Sequence, residues 1–327
     1  MPAILDVDLL AFEQGGRDAR RAVVDGVRRS LETGFVYARH DIPEEVIDRA
    51  YGMLERFFHL ERAVKQRHVV PASMGQTGYT GLLVETAASA AVPDWKEMLN
   101  FGVELPGGHP LIGRYPHRYM SRRFPEDELP GIGAVLGLLH DRLFDLQRRF
   151  LRIIAVGLGA DEGFFEGMLR DGPTLTRAIR YPPMREVPAD ASTEGGEHVW
   201  AGEHGDINLI TALPRATARG LQVKTADGWL DAVPPPGLAI LNTGLMLERL
   251  SNGALPTGVH RVVADPAQVG ERYSVVQFCH PTPWTILWPM PSCVSEQRPL
   301  RFAPITAGDW LDEVLYEINL VEDARRD

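Results

Sequence analysis

From about residue 172 the chain is written in short runs. LTRAIRY (175–181), INLITAL (207–213), GLQVKT (220–225), GLAILNT (237–243), GVHRVVA (258–264) and RYSVVQF (272–278) are rich in Ile, Val, Leu and Thr. Gly, Pro, Asn and Asp separate them. Branched side chains suit a pleated surface, and turn residues at this spacing send the chain back each time. Regular short strands with turn signals predict an antiparallel sandwich or barrel.

The first half reads differently. Residues 18–32 (DARRAVVDGVRRSLE) place apolar positions at helical spacing among charges, which predicts an amphipathic helix. Gly34–Ala38 (GFVYA) reads as a strand. Pro43-Glu44-Glu45 opens a further helix, with acids at its positive end. That helix carries Val46, Ala50, Met53, Leu54, Phe57 and Phe58 on one side. Residues 71–93, rich in Gly, Ala, Ser and Thr, read as a loop, with Tyr79 a candidate pocket residue. A long helix is expected from about Gly131 to Gly159, its apolar face (Leu136, Leu139, Leu143, Leu146, Phe150, Ile153, Ile154) packed on a sheet. Residues 305–320 close the chain with a helix. No repeat or linker interrupts the sequence, so the helices are expected to buttress the β core as one unit.

Composition excludes some functions. With 34 Lys+Arg against 44 Asp+Glu the net charge is −10. That balance argues against nucleic acid, which needs clustered cations. It leaves room for a small anionic substrate, which needs one or two. No apolar run is long enough to span a membrane. Two cysteines, Cys279 and Cys293, make no disulfide scaffold. Together these point to a cytoplasmic setting.

Ten histidines remain to be sorted. His204-Gly205-Asp206 lies where a β run begins, and residues two apart on a strand share a side. An imidazole and a carboxylate can there meet one cation. His260 follows 54 residues after Asp206, in another strand-like run. Two histidines and one carboxylate on one face of a metal leave three positions open, the facial triad of non-heme Fe(II) oxygenases. A zinc hydrolase can use the same donors. It would also need a general base, and no HExxH helix is present. His140 reads as a packing residue of the long helix, while His59, His68, His109 and His117 read as surface residues. His198 has no acid two positions on, and His280 follows a strand end. Twelve residues after His260, Arg272-Tyr273-Ser274 puts a guanidinium and a hydroxyl on one side of a strand. That pair suits a carboxylate.

The pattern His204-x-Asp206, His260, Arg272-x-Ser274 resembles the isopenicillin N synthase-like family of Fe(II)- and 2-oxoglutarate-dependent dioxygenases. The surrounding text agrees: GEHGDINLITAL, HRVVADPAQVGERYSVVQFCHP and, near the N-terminus, GFVYARHDIP and FFHLERAVKQ. The resemblance covers nearly the whole chain. It implies a mainly β fold, a double-stranded β-helix (jelly-roll) core wrapped by N-terminal helices and one long central helix. The expected divisions are an N-terminal helical region (1–115), the supporting helix region (116–171), the jelly-roll core (172–285) and a C-terminal segment (286–327). It implies Fe(II) on His204, Asp206 and His260, and 2-oxoglutarate on Arg272 and Ser274, with Tyr181 helping. With O2 these would oxidise a small metabolite, amino-acid or peptide-derived substrate and release succinate and CO2. Within the same family, isopenicillin N synthase uses its Arg-x-Ser pair for the substrate and needs no 2-oxoglutarate, so that use of Arg272 stands as the alternative. A redox-inert hydrolase and a non-enzymatic jelly roll stand behind it. Many plant members carry Asn where this chain has Ile179, and family members often carry Asp where it has Leu245. Tyr79, Phe101, Arg180 and Phe278 are the candidate substrate residues, with Leu83, Trp95 and Trp284 beside them. Oligomeric state is not legible.

Overall fold

The computed structural model describes residues 3–73, 75–84, 94–186, 193–194, 197–264 and 269–317. In the first half, β1 (Asp6–Asp8), α1 (Leu9–Gln14), α2 (Arg17–Ser30), β2 (Phe35–Arg39), α3 (Glu44–Phe58) and α4 (Arg62–Gln66) precede β3 (Gly78–Thr80) and β4 (Glu97–Gly102). Next come α5 (Pro110–Arg114), α6 (Ile132–Gly157) and α7 (Glu166–Leu169). The second half holds β5 (Leu175–Tyr181), β6 (Thr193–Glu194), β7 (Glu197–His204), β8 (Ile210–Leu213), β9 (Leu221–Thr225), β10 (Gly228–Asp231) and β11 (Leu238–Thr243). It ends with α8 (Leu245–Leu250), β12 (His260–Val263), β13 (Arg272–Cys279) and α9 (Ala307–Glu317).

The strands form two sheets. One has the order β1-β2-β11-β8-β13-β5-β4-β3, the other β10-β9-β12-β7-β6. Neighbours are antiparallel apart from β1 and β2. Phe35, Ile179, Tyr181 and Ile240 of the first sheet pack with Trp200, Val223 and Val262 of the second. The two sheets therefore face one another over an apolar interior, the jelly-roll arrangement. The outer face of the large sheet carries the helices. There Leu99, Ala178, Ala212 and Val275 meet Leu136, Leu139, Leu143 and Phe150 of α6.

Helix α6 is pinned as well as packed. Gln147 Nε2 donates to the carbonyls of Ile210 and Gln277, each at 2.9 Å. Gln277 Nε2 returns a bond to His140 O at 2.9 Å. His140 Nδ1 meets Thr176 Oγ1 at 2.8 Å, so His140 is a satisfied packing histidine.

Two expectations change. The segment read as a loop contains β3, which pairs with β4 and extends the large sheet. Residues 85–93 of that segment, like 318–320 of the closing helix, lie outside the described residues. Strand β4 itself gave no signal, because five of its six residues are buried and both its faces are covered. A strand buried on both sides loses the alternation that betrays strands. The early strand β2 is also no isolated piece. It lies beside β11 in the core sheet, with Tyr37 opposite Ile240.

Candidate metal centre and its cavity

His204 is the last residue of β7 and His260 the first of β12, and the register sets them directly opposite each other. Their ring centroids are 4.3 Å apart. The register between β7 and β12 shifts just beyond this pair. Such bulges re-aim side chains beside active sites. Asp206 is not on the same strand as His204. It sits in the irregular connection to β8, two residues past His204. The strand-parity reading of His204-x-Asp206 thus reached the right neighbours through the wrong local geometry. One potential ligand atom from each of His204, Asp206 and His260 lies within 4.8 Å of the others.

Each member is oriented by hydrogen bonds. His204 Nδ1 donates to Gly202 O at 2.7 Å, and His260 Nδ1 donates to Gly258 O at 2.9 Å. A carbonyl can only accept, so both protons sit on Nδ1 and both Nε2 lone pairs are left for a cation. Asp206 Oδ2 accepts from Thr211 Oγ1 at 2.6 Å and from Asn242 Nδ2 at 2.7 Å. Both bonds fall on one oxygen and leave the other available.

Electrostatics agree. His204 lines the cavity and keeps part of its surface exposed, yet protein crowds round its ring. That desolvation, then the neighbouring His260, hold its pKa down at about 4. Burial works to raise the pKa of Asp206, but His260, His204 and its two hydrogen bonds outweigh it and hold the carboxyl below its ordinary range. A neutral imidazole and an ionised carboxylate are what a divalent cation requires. The donor set fits Fe(II), with protein ligands on one side only.

The triad opens on a cavity of about 80 Å³ between the sheets. Its far end is made by Arg272, Ser274 and Tyr181. Arg272 and Tyr181 are opposite each other in the β13–β5 ladder. The guanidinium is 2% exposed and lies 4.9 Å from the Tyr181 ring. Its Nη1 donates to Ser274 Oγ at 3.3 Å, and its Nε to the carbonyls of Ala218 and Arg219 at 3.2 and 3.1 Å. Burial lowers its pKa. Among the described residues no Asp or Glu forms an ion pair with it.

The candidate substrate residues divide. Phe278 lines the cavity, with the Arg177 guanidinium 5.6 Å from its ring. Arg180 does not. On β5 it alternates with Ile179 and Tyr181, so it points to the helices, where it pairs with Glu97 (2.6 Å) and Glu271. Tyr79 lies on that side too, giving its hydroxyl proton to Glu97 Oε2 at 2.5 Å. Phe101 is fully buried against Phe124 and His140. Leu83 and Trp284 are exposed, and Trp284 stacks on Tyr115. Trp95 is half-buried beside the inter-sheet cluster. Side chains two apart share a face, and adjacent ones do not. Tyr181 and Arg180 were therefore never compatible choices.

The same rule identifies a residue the sequence reading passed over. Arg177 is four before Tyr181, on its face, and lines the cavity. Its Nε donates to Asn100 Oδ1 at 2.8 Å. Lys96, paired with Asp94 at 2.8 Å, is a second lining cation. Thr211 and Asn242 left no local signal for their role, because their partner is 5 and 36 residues away.

Two facing β sheets with a His-Asp-His cluster at one end and a buried arginine deeper in define a jelly-roll non-heme iron oxygenase. Comparison with known proteins narrows that class. Residues 4–127 match the family described as non-haem dioxygenase in morphine synthesis N-terminal, and residues 174–281 match the 2OG-Fe(II) oxygenase superfamily. Leucoanthocyanidin dioxygenase 1 of Oryza sativa subsp. japonica is 30% identical over 95% of this chain and 80% of its own. A crystal structure of a 2OG-Fe(II) oxygenase family protein from Caulobacter crescentus superposes with a TM-score of 0.83 at 34% identity, covering 97% of this chain and all of that one. A full-length Neurospora crassa protein, solved in complex with alpha-KG and thymine, gives 0.83 at 25% identity, covering 97% of each chain. The chain belongs to the 2OG-Fe(II) oxygenase family and is a 2-oxoglutarate- and Fe(II)-dependent oxidoreductase. No helix among its described residues is long and apolar enough to cross a membrane.

Proposed function

We propose that His204 and His260, through Nε2, and Asp206, through its carboxylate, hold the Fe(II), and that Arg272 anchors the distal carboxylate of 2-oxoglutarate with Ser274 and Tyr181 beside it. The observation that carries this is the buried Arg272 guanidinium without an acidic partner among the described residues, on the wall of the triad's own cavity. A charge buried in this way is expensive unless an anion meets it. A guanidinium offers the planar fork that a carboxylate matches.

Bound Fe(II) and 2-oxoglutarate supply, with dioxygen, oxidation of a C–H bond coupled to release of succinate and CO2. The chain's own part is positional. Gly202 O and Gly258 O hold the two imidazoles in one tautomer. Thr211 and Asn242 hold Asp206 ionised and turned to the metal. Facing apolar side chains such as Phe35, Leu221 and Val262 limit water around the site. The substrate is a small metabolite. Phe278 and Arg177 line the same cavity as the triad and supply an apolar surface and a guanidinium to receive it, with Lys96, held by Asp94, beside them.

Arg272→Ala tests the reading. The concentration of 2-oxoglutarate needed for half-maximal succinate formation is expected to rise by roughly tenfold or more, the loss of a charge-assisted bond. If only the primary substrate's half-saturation rises, Arg272 holds the substrate carboxylate instead. His204→Ala is expected to abolish Fe(II) binding, and unchanged iron affinity removes His204 from the centre.

A further inference from the structure

The interior has a second opening. The metal end of the barrel is marked by the end of β7, the end of β11 and the start of β12. The opposite end is marked by the end of β5, the end of β8 and the starts of β9, β11 and β13. At that opposite end, between the β8–β9 and β10–β11 connections, lies a cavity of about 700 Å³. Leu213, Leu221, Ile240 and Arg272 line both this cavity and the one holding the triad. Arg272 is thus a party wall, one side chain thick.

The rear cavity has the makings of a ligand site. Its volume falls in the range of small-molecule pockets, roughly 300–1,000 Å³. Pro234, Pro235 and Pro236 form a stiff apolar side, because proline fixes its own backbone angle. Leu213, Leu221 and Leu238 line the interior end. The charges are mostly of one sign. Arg272 is at the floor and Arg215 and Arg219 line the sides, against a single lining acid, Glu44. Arg215 is already neutralised by Asp48 at 2.8 Å and Glu44 at 3.6 Å. Arg219 is exposed and forms no ion pair among the described residues. Its carbonyl, with that of Ala218, holds Arg272 Nε.

We propose that this rear cavity is a second ligand site, for a monocarboxylate with an apolar body, and that its occupancy is felt by the anion on the other side of Arg272. The apolar walls take the body, and Arg219 takes the carboxylate. The connection that carries Arg219 also holds Arg272 in place, so a ligand there moves or competes with the anchor. The coupling rests on the reading of Arg272 given above; the site itself does not.

The test is equilibrium dialysis of the Fe(II)-loaded full chain with labelled decanoate, with decanol as the uncharged control. Decanoate is expected to fill one saturable site, with decanol weaker by about tenfold or more. Arg219→Glu and Val233→Trp, which reverses the charge and fills the space, are each expected to weaken decanoate by a similar factor. Both positions are exposed, so folding is spared. Uptake without saturation, or an affinity unchanged in both variants, overturns the site. Saturating decanoate is further expected to raise the half-saturation for 2-oxoglutarate severalfold in the parent enzyme and not in Arg219→Glu. Binding of decanoate with no change in 2-oxoglutarate overturns the coupling and leaves the site standing. If Arg272→Ala leaves 2-oxoglutarate unaffected while decanoate still binds, the anchor reading has failed and the site has not.

Discussion

At the residue scale the centre depends on groups that never touch the metal. Asn242 Nδ2 and Thr211 Oγ1 both bond Asp206 Oδ2, which fixes the direction of its other oxygen. Partners of this kind are typically worth about 10–100-fold in metal affinity. Asn242→Ala is therefore expected to weaken Fe(II) by about that factor while the far-ultraviolet circular dichroism stays unchanged, and competition against a metallochromic chelator would measure it. Arg180 supplies the contrast. It faces away from the cavity, into a buried network where Glu97 also accepts from Lys65 Nζ at 2.8 Å. Breaking a buried ion pair costs about 3–5 kcal/mol. Arg180→Met is expected to lower stability by about that amount, measured by urea unfolding, and to leave substrate half-saturation unaltered. A large change in substrate half-saturation with stability intact would return Arg180 to the substrate site.

At the element scale, the metal centre depends on how the N-terminal segment is stitched into the core sheet. Gly34, at the entry to β2, has φ +76°. A Cβ there would fall 2.4 Å from Gly258 Cα. Thr243 N donates to Gly34 O at 3.0 Å and Gly258 N to Thr243 O at 2.9 Å, so three chain segments meet two residues before His260. Gly258 O is also what orients His260 Nδ1. Gly34→Ala must pay for a left-handed backbone and a clash with the main chain. It is expected to cost stability of roughly 1–3 kcal/mol and to weaken Fe(II) binding as well, whereas a purely structural lesion would leave iron affinity intact. The helices were legible at this scale because they are long and one-sided: Arg17–Ser30, Glu44–Phe58 and Ile132–Gly157 fall within a few residues of their expected spans. Strands β3 and β4 were not. One is three residues long and the other has no exposed face.

At the scale of the whole molecule, the sandwich of helix, sheet and sheet buries polar groups that must stay neutral. His140 lies between α6 and the large sheet, and burial, then Arg122, pull its pKa from the ordinary 6.5 down to about 3. The unfolded chain therefore takes up this proton first as the pH falls. The stability tied to neutral His140 is fully present above about pH 6.5 and is lost progressively as the pH drops toward 3, at up to about 1.4 kcal/mol per pH unit. Urea midpoints between pH 7 and 4 should fall more steeply in the parent than in His140→Gln. Equal slopes would mean that other groups carry the acid sensitivity.

The sequence by itself determined the chemistry: which side chains can bind a divalent cation, which can meet a carboxylate, and that regular short strands build an antiparallel sandwich or barrel. Those properties belong to residue types and to spacing within one segment. The tertiary structure alone decided which of these residues meet. His204 and His260 become neighbours through a strand register spanning more than fifty residues, Asp206 joins them from the connection after β7, and strand parity keeps Arg177 in the cavity while sending Arg180 behind the sheet. Contacts of that range depend on how the strands pair and which face each buries, and pairing is settled by the packing of the whole core.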